Sequence, residues 1–301
     1  MQNGEPASGG LLFGFAAYGL WGVFPLFFQL LANAGALEIL AHRALWTCVF
    51  AFVGIAITRQ WANLREVLRQ PRVVATIMAG GVVVAANWGI YVWAVIRDHV
   101  VDASLGYFIN PLVTVALAVV VLHEKLRRPQ IVALAIGALA VIVLVVAYKQ
   151  VPWVSLGLAI TFATYSLIKN RVGRHAVPLV SLGVETSVLV PFAVAFIVWL
   201  QATGRGTLTD HGPGHFWLLI STGAVTAIPL LFFAAAASRI PLSTLGLIQY
   251  TTPTFALLIG VLLDHEAMSP ARWAGFALVW CALIILAWDG LRGHQSVDDK
   301  H

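Results

Sequence analysis

A few ionisable side chains interrupt long apolar runs, at positions where they could bind a solute or a proton. Glu38, His42 and Trp46 are spaced four residues apart, so a helix would place all three on one face, with Arg43 beside them. Charged groups at membrane depth are costly, and they are usually paired or functional. Two interpretations stay open: a helix end held by a Glu38–Arg43 or Glu38–His42 pair, or a substrate- or proton-binding cluster that lines a cavity.

A second acidic residue, Glu185, lies 147 positions after Glu38 and inside another apolar run. No basic residue is close to it in the sequence, so it either pairs with a residue of another helix or lines a solute pathway. Carboxylate and imidazole groups inside membranes often form proton relays. Glu38, His42 and Glu185 are therefore the predicted candidates for proton coupling.

Aromatic and amide side chains form a further group of candidate contacts. Aromatic rings bind flat or amphiphilic solutes and hold cations on their π faces, although simple packing is the alternative for each of them. Tyr91 and Trp93 extend this predicted aromatic wall. The predicted substrate contacts are Tyr18, Trp21, Glu38, His42, Asn87, Trp88, Tyr107, Asn110, Glu185, Gln249 and Tyr250.

Two prolines inside apolar runs predict local changes of helix direction. Pro111 and Pro253 lack the N–H that would bond to the carbonyl groups of Tyr107 and Gln249, four residues earlier. Polar groups around such a site are tolerated where they face protein or a wet cavity. Each proline is predicted either to act as a hinge or to form a static kink that neighbouring helices satisfy.

The composition places all of these groups in a membrane. Of 301 residues, 60% are hydrophobic and only 10% are charged, and the mean hydropathy is +0.88; a soluble domain has about 25% charged residues. This excludes a soluble enzyme, a disordered chain and a nucleic-acid-binding domain. Cys48 and Cys281 lie within apolar runs, which predicts buried thiols and neither a disulfide nor a metal site.

Ten apolar runs have the length of a transmembrane helix, which is about 20 residues. The predicted spans are 10–31, 37–58, 72–96, 103–122, 129–147, 151–170, 178–200, 214–236, 241–263 and 270–290. Thirteen Lys and Arg residues fall in loops on one side and four on the other. Since basic residues favour the cytoplasm, both termini are predicted to be cytoplasmic. The predicted fold is an all-α integral membrane protein.

The two halves of the chain share an order of motifs. The fourth span contains Ser-Leu-Gly at 104–106, Pro111 and a His-Glu pair at 123–124. The ninth contains Thr-Leu-Gly at 244–246, Pro253 and a His-Glu pair at 265–266. Because each half has five spans, the second copy is predicted to be inverted. The predicted units are two five-helix repeats, 10–148 and 149–291, with short cytoplasmic tails at 1–9 and 292–301.

The His-Glu pairs raise the question of a zinc site. Neither pair continues to the His-Glu-x-x-His sequence of a zinc hydrolase, and the two pairs are predicted to lie at opposite membrane faces. We interpret them as helix-end residues. No metal or cofactor is predicted.

Longer stretches of the chain resemble the EamA-type permeases of the drug/metabolite transporter superfamily, and within these the RarD branch of chloramphenicol-sensitivity permeases. The resemblance rests on residues 38–46, 103–112 and 242–246, together with 17–22 and 87–88, and covers about 10–290. It implies a ten-helix inner-membrane permease in which the first helices of each half form a central cavity. It does not identify the substrate.

Three classes of function are open: a secondary transporter, a membrane scaffold or channel component, and an integral membrane enzyme. The absence of a nucleophile elbow and of a metal-ligand cluster speaks against an enzyme, and the absence of a Walker A sequence speaks against ATP hydrolysis. A strict scaffold would not need polar groups at corresponding places in the two halves, so the transporter is favoured. The expected activity is alternating-access export of small organic metabolites, such as amino acids or amphiphilic drug-like solutes. The expected partners are the solute, the bilayer of the bacterial inner membrane and protons, with no nucleic acid. The sequence leaves the oligomeric state open.

Overall fold

The computed structural model describes residues 7–96, 100–148, 153–262 and 270–298. Every regular element in these ranges is an α-helix, so the predicted all-α class is confirmed. The helices up to residue 148 are α1 (Ala7–Gly22), α2 (Phe24–Gln29), α3 (Ala36–Ile57), α4 (Trp61–Leu68), α5 (Pro71–Ile96), α6 (Val100–Leu122) and α7 (Arg128–Tyr148). The later helices are α8 (Trp153–Val172), α9 (Pro178–Ser187), α10 (Val190–Ala202), α11 (Gly212–Ala237), α12 (Leu242–Ile248), α13 (Thr251–Leu262) and α14 (Pro270–Asp298).

Several of these helices are suited to a membrane by length and composition. Among the described residues, four stretches can cross a bilayer: Gly9–Gln29, Ala36–Ile57, Pro71–Ala94 and Gly212–Ala237. The α9–α10 pair, bent by 52°, makes a fifth if it forms one span. Shorter apolar stretches lie in α6, α7 and α14. The chain is therefore an apolar multi-helix protein, and the count of ten spans stays a prediction.

The two prolines that were predicted as hinges have different local backbones. Helix α6 continues through Pro111 without a break. Ahead of Pro253, by contrast, Gln249 and Tyr250 form a turn that separates α12 from α13. A proline is tolerated within the first turn of a helix because the N–H groups there have no partner inside the helix. Pro253 therefore marks the start of a new helix, and Pro111 lies inside a continuous one.

Helix α4 is an amphipathic element in a segment that the sequence predicts only as a basic loop. Its buried side chains are Leu64 and Val67, which pack with Ile55 of α3 and Ile77 of α5. Their spacing of three residues places both on one face of the helix. The opposite face carries exposed charged side chains, so α4 covers the ends of α3 and α5.

The interior is built mainly from contacts between the two halves of the chain. The most extensive pairings join α6 with α8, α7 with α14, α3 with α11, α1 with α11, α5 with α8 and α3 with α9. The largest buried cluster includes Tyr18, Tyr165 and Phe233, from α1, α8 and α11. The two halves therefore share one core.

Two glycines allow helices from different halves to approach closely. A Cβ atom at Gly223 of α11 would meet the backbone of Trp46 in α3. A Cβ atom at Gly81 of α5 would meet the carbonyl oxygen of Glu185 in α9. In both pairs the obstacle is backbone, which cannot move aside as the end of a side chain can.

We expect Gly223→Ala to destabilise the protein, because the added methyl group would force α3 and α11 apart. Overpacking of this kind costs roughly 1–3 kcal/mol, and it opposes the gain in helix propensity of about 1 kcal/mol from Gly to Ala. Thermal denaturation of the purified protein measures the effect. The matched control is Gly89→Ala in α5, where a Cβ atom would meet nothing within 4 Å. Equal melting temperatures for the two variants would contradict the prediction.

Candidate solute-binding site

Arg43 of α3 is the centre of a cluster of side chains from several helices. Its Nε donates a hydrogen bond to Oγ1 of Thr226 in α11, at 3.0 Å. Its guanidinium carbon lies 4.6 Å from the ring centroid of Trp88 in α5. The corresponding distances to Phe28 and Phe24 of α2 are 5.4 Å and 6.0 Å. Aromatic faces attract a cation within about 6 Å of the ring centroid, so three rings and one hydroxyl group hold this guanidinium.

Two tyrosines complete this cluster on the side of α5 and α6. Tyr91 and Tyr107 both interact electrostatically with Arg43. Each tyrosine has 41% of its surface exposed, and Arg43 and Trp88 are themselves half-buried. The side of Arg43 that carries Tyr91 and Tyr107 is therefore not covered by other parts of the protein. We call Arg43, Phe24, Phe28, Trp88, Tyr91, Tyr107 and Thr226 the Arg43 cluster.

The aromatic wall predicted from the sequence is divided in the structure. Tyr18 and Trp21 pack against each other, with ring centroids 5.4 Å apart, and both pack against Phe233. Tyr18 is fully buried. Trp88 packs against the edge of the same core while it contacts Arg43. Trp93, by contrast, is exposed and borders a shallow apolar surface groove between α5 and α8.

Glu38 is bound to a loop and not to the basic residues near it in sequence. Its Oε1 accepts a hydrogen bond from the backbone N–H of Thr207 at 2.7 Å, and its Oε2 accepts one from Thr207 Oγ1 at 3.1 Å. That hydroxyl also lies 2.7 Å from Nε2 of His215 in α11. Within the described chain Glu38 forms an ion pair with neither Arg43 nor His42, so that interpretation is wrong. The reason is direction, since Glu38 faces the α10–α11 loop and Arg43 faces α5 and α11.

His42 lies inside the protein on the same face of α3. Its Nδ1 accepts a hydrogen bond from Nε1 of Trp46 at 3.2 Å, as their four-residue spacing allows. Its Nε2 is buried and has no hydrogen-bond partner within the described part of the chain. His42 is adjacent in sequence to Arg43, but the two side chains leave α3 in different directions.

Glu185 forms a buried ion pair with Lys169 of α8. The exposed fractions of the two side chains are 1% and 3%. Tyr165 donates a hydrogen bond from its hydroxyl group to Oε1 of Glu185 at 2.9 Å, and Lys169 donates one to Oγ of Ser181 at 3.0 Å. Lys169 is among the thirteen Lys and Arg residues that the sequence places on the side predicted to be cytoplasmic. Of the two alternatives for Glu185, this geometry favours pairing with another helix.

The predicted amide contacts differ, since Asn87 joins two helices and Asn110 bonds within its own helix. Nδ2 of Asn87 donates to the Leu158 carbonyl group at 2.9 Å and to Oγ1 of Thr161 at 2.8 Å, which connects α5 to α8. Oδ1 of Asn110 accepts a bond from Thr114, one turn later in α6, at 3.5 Å. Gln249 and Tyr250 are both buried at the break between α12 and α13. Of the predicted substrate contacts, Trp88 and Tyr107 belong to the Arg43 cluster.

Comparison with known proteins places this architecture in a family. A family model described as the EamA-like transporter family matches residues 8–146 and, separately, residues 151–288. The chain belongs to the EamA-like transporter family. The RarD-type resemblance is confirmed by a protein named RarD from Streptomyces exfoliatus, which is 53% identical over 283 residues and shares 94% of this chain and 89% of its own length.

Other relatives of this EamA protein agree with the assignment. A protein of Vibrio cholerae named as an uncharacterized transporter is 37% identical over 293 residues, covering 97% of this chain and 96% of its own. A solved crystal structure matches 93% of this chain and 98% of its own chain, with a TM-score of 0.71 and 18% identity, and supports the fold alone. The family and the apolar helices identify a multi-pass bacterial membrane protein of the transporter class.

The most prominent residue of the site in this EamA protein, Arg43, is absent from the substrate contacts predicted from the sequence. Phe24, Phe28 and Thr226 are absent too. One signal in the sequence could have identified Arg43: it lies inside an apolar span and has no acidic residue three or four positions away, where a helical partner would be. No comparable signal distinguishes the two phenylalanines or the threonine from ordinary packing residues.

Proposed function

We propose that this EamA protein is a secondary transporter that exports small organic metabolites, such as amino acids or amphiphilic drug-like solutes, by alternating access. In this proposal ten helices span the inner membrane as two inverted five-helix repeats, 10–148 and 149–291, with both termini in the cytoplasm. The double match to the family model, at 8–146 and 151–288, supports the division into repeats.

The observation that carries the proposal is reciprocal packing between the halves. In order, the five proposed spans of the first half are α1–α2, α3, α5, α6 and α7, and those of the second are α8, α9–α10, α11, α12–α13 and α14. The first span of each half packs against the third span of the other: α1 against α11, and α8 against α5. The same holds for first with fourth spans (α1 with α13, α8 with α6) and for second with third (α3 with α11, α9 with α5).

Exchange of the two halves therefore preserves the pattern of contacts, as an approximate two-fold axis in the membrane plane would require. The two close contacts made at glycines also join the second span of one half to the third span of the other. Gly223 brings α11 onto α3, and Gly81 brings α5 onto α9. An inverted repeat suits alternating access, because the two halves can exchange conformations and convert an inward-open form into an outward-open one at little net cost.

The Arg43 cluster is the proposed place of solute contact. It joins α2, α3, α5 and α6 of the first half to α11 of the second, where transporters with inverted repeats hold their substrates. Trp88 and Tyr107 would contact the solute directly. Glu38 and Glu185, with their hydrogen-bonded partners, would hold α3 and α9 in place, and any coupled proton would be carried by Glu38, His42 or Glu185.

Uptake into proteoliposomes tests the proposed function. The panel contains labelled aromatic and small neutral amino acids and chloramphenicol, each measured with and without an imposed pH gradient. We expect saturable flux of at least one solute, with accumulation along the gradient if protons are coupled. Protein-free liposomes and a protonophore are the controls. Equilibration without accumulation would remove the proton from the mechanism, and no saturable flux for any solute would contradict the proposed substrate range.

A further inference from the structure

We propose that the Arg43 cluster binds a carboxylate, and that the substrates of this protein are small organic acids with an aromatic or apolar body. This inference rests on the proposed function and narrows its substrate class. It concerns a residue that was not among the substrate contacts predicted from the sequence.

The first argument is charge. Arg43 is inside an apolar helix, yet no carboxylate pairs with it in the described part of the chain. Glu38, five residues earlier, has both oxygens bound to Thr207 and cannot serve as its counterion. Partial removal of a cation from water is unfavourable, and without a counterion nothing offsets this desolvation free energy. An anionic ligand would supply the missing charge.

Lys169, a buried cation of α8, shows what a structural cation looks like in the same protein. It is 3% exposed, it is paired with Glu185, and it also donates to Ser181. Arg43 is only half-buried, and its single hydrogen bond to a described residue goes from Nε to a neutral hydroxyl group. Its terminal nitrogens have no acceptor among the described residues. The donors that are best placed to grip a planar anion in two-point fashion are therefore unused.

The second argument is the shape of the surroundings. A guanidinium presents parallel N–H donors that match the two oxygens of a carboxylate. Tyr91 and Tyr107, partly exposed beside Arg43 and hydrogen-bonded to each other, place hydroxyl groups at the uncovered side. The rings of Trp88, Phe24 and Phe28 supply apolar faces within 6.0 Å of the same cation. A ligand that uses both features has a carboxylate at one end and an apolar or aromatic group at the other.

The test compares acids with their neutral amides. Purified protein in a neutral detergent is titrated with phenylacetate, indoleacetate and octanoate, and with the corresponding amides, while its thermal stability is recorded. We expect at least one acid to stabilise the wild-type protein and its amide to have no effect. Stabilisation by acid and amide alike, by inorganic phosphate alone, or by none of the acids would overturn the inference.

Two substitutions at Arg43 and one elsewhere locate the binding site. Arg43→Gln should weaken acid binding roughly 10- to 100-fold, the loss expected for a hydrogen bond to a charged group. Arg43→Lys keeps the charge without the two-point geometry and should weaken it less. Arg174→Gln, at an exposed arginine, is the matched control and should bind as the wild type does. Full acid binding by a folded Arg43→Gln protein would overturn the inference.

The outcomes separate this inference from the transporter proposal. Binding of an acid through Arg43, without flux in proteoliposomes, would leave the carboxylate site standing and contradict transport. Saturable flux of a neutral solute that is unchanged in Arg43→Gln, with no binding of acids, would leave transport standing and contradict the carboxylate site. If Arg43→Gln does not fold, the comparison of acid with amide in the wild-type protein still tests whether the protein binds a carboxylate.

Discussion

Replacement of Glu185 by alanine is expected to lower the free energy of unfolding by about 3–5 kcal/mol, because it leaves the buried ammonium group of Lys169 without its counterion. Lys169→Met is expected to have a similar effect, since it leaves the carboxylate of Glu185 buried and unpaired. Tyr165, which donates to Glu185, and Ser181, which accepts from Lys169, are both neutral. Neither can replace the charge that a single substitution removes. Chemical or thermal denaturation of the purified protein in detergent measures both losses.

The double replacement Lys169→Met with Glu185→Leu separates a charge effect from a packing effect. When both members of a buried pair become apolar, no uncompensated charge remains, and such replacements are often neutral or stabilising. We therefore expect the double variant to recover most of the stability that each single variant loses. Lys125→Met, at an exposed lysine, is the matched control and should change stability by less than about 0.5 kcal/mol. Losses that simply add in the double variant would show that the two side chains act independently.

The second large effect is expected at Glu124, which binds the start of α12. Its Oε1 accepts a hydrogen bond from the backbone N–H of Leu242 at 2.8 Å, and its Oε2 accepts one from Ser243 at 2.9 Å. The residue before α12 is Pro241, which offers no side-chain cap, so a carboxylate from the α6–α7 connection satisfies these N–H groups. A hydrogen bond to a charged group contributes about 1.5–3 kcal/mol. Because Glu124 is only partly buried, water can replace part of both bonds, and Glu124→Ala should cost roughly 2–3 kcal/mol in all.

Amide hydrogen exchange gives a local measurement of this contact. In Glu124→Ala, exchange in the peptide that contains Leu242 and Ser243 should become faster by about 30- to 150-fold, which corresponds to the expected 2–3 kcal/mol. Exchange in α5 should not change. Glu66→Ala, at an exposed glutamate of α4, is the control and should leave exchange in α12 as it is in the wild type. Unchanged exchange at the start of α12 in Glu124→Ala would show that these hydrogen bonds do not limit its opening.

The role of Glu124 also gives meaning to one motif of the sequence. The His-Glu pair at 123–124 was predicted to be a helix end, and the structure agrees, since α6 ends at Leu122 and His123 has a positive φ of 54°. The sequence does not reveal that the glutamate caps a helix more than a hundred residues later. The second His-Glu pair, at 265–266, lies outside the described residues.

Properties that depend on composition and local order could be read from the sequence alone. The all-α membrane class follows from long apolar runs, because in a bilayer the backbone must satisfy its own hydrogen bonds within each segment. Family membership follows from contiguous motifs such as residues 103–112, which can be recognised without knowing any contact between distant residues. The hydrogen bond between Trp46 and His42 belongs here too, because a four-residue spacing brings them together in any helix.

The partners of the buried charges were decided by tertiary structure. Glu38 could be matched in sequence only to its neighbours Arg43 and His42, whereas its actual partner, Thr207, lies 169 residues away. Glu185 and Lys169 lie on different helices, and nothing in their spacing shows that α8 and α9 turn these side chains toward each other. Such pairs depend on how each helix is rotated about its axis and how far it slides along its neighbour.

The Arg43 cluster shows the same limit most clearly. Sequence alone determines that a cation lies within an apolar helix, and that this cation needs compensation. Which groups provide it depends on four other helices, which bring Phe24, Phe28, Trp88, Tyr91, Tyr107 and Thr226 to one guanidinium. Helix packing is set by the summed fit of many apolar side chains, and no single motif encodes it. The sequence thus determines that this protein carries an unusual charge in the membrane, and only the fold determines what that charge can bind.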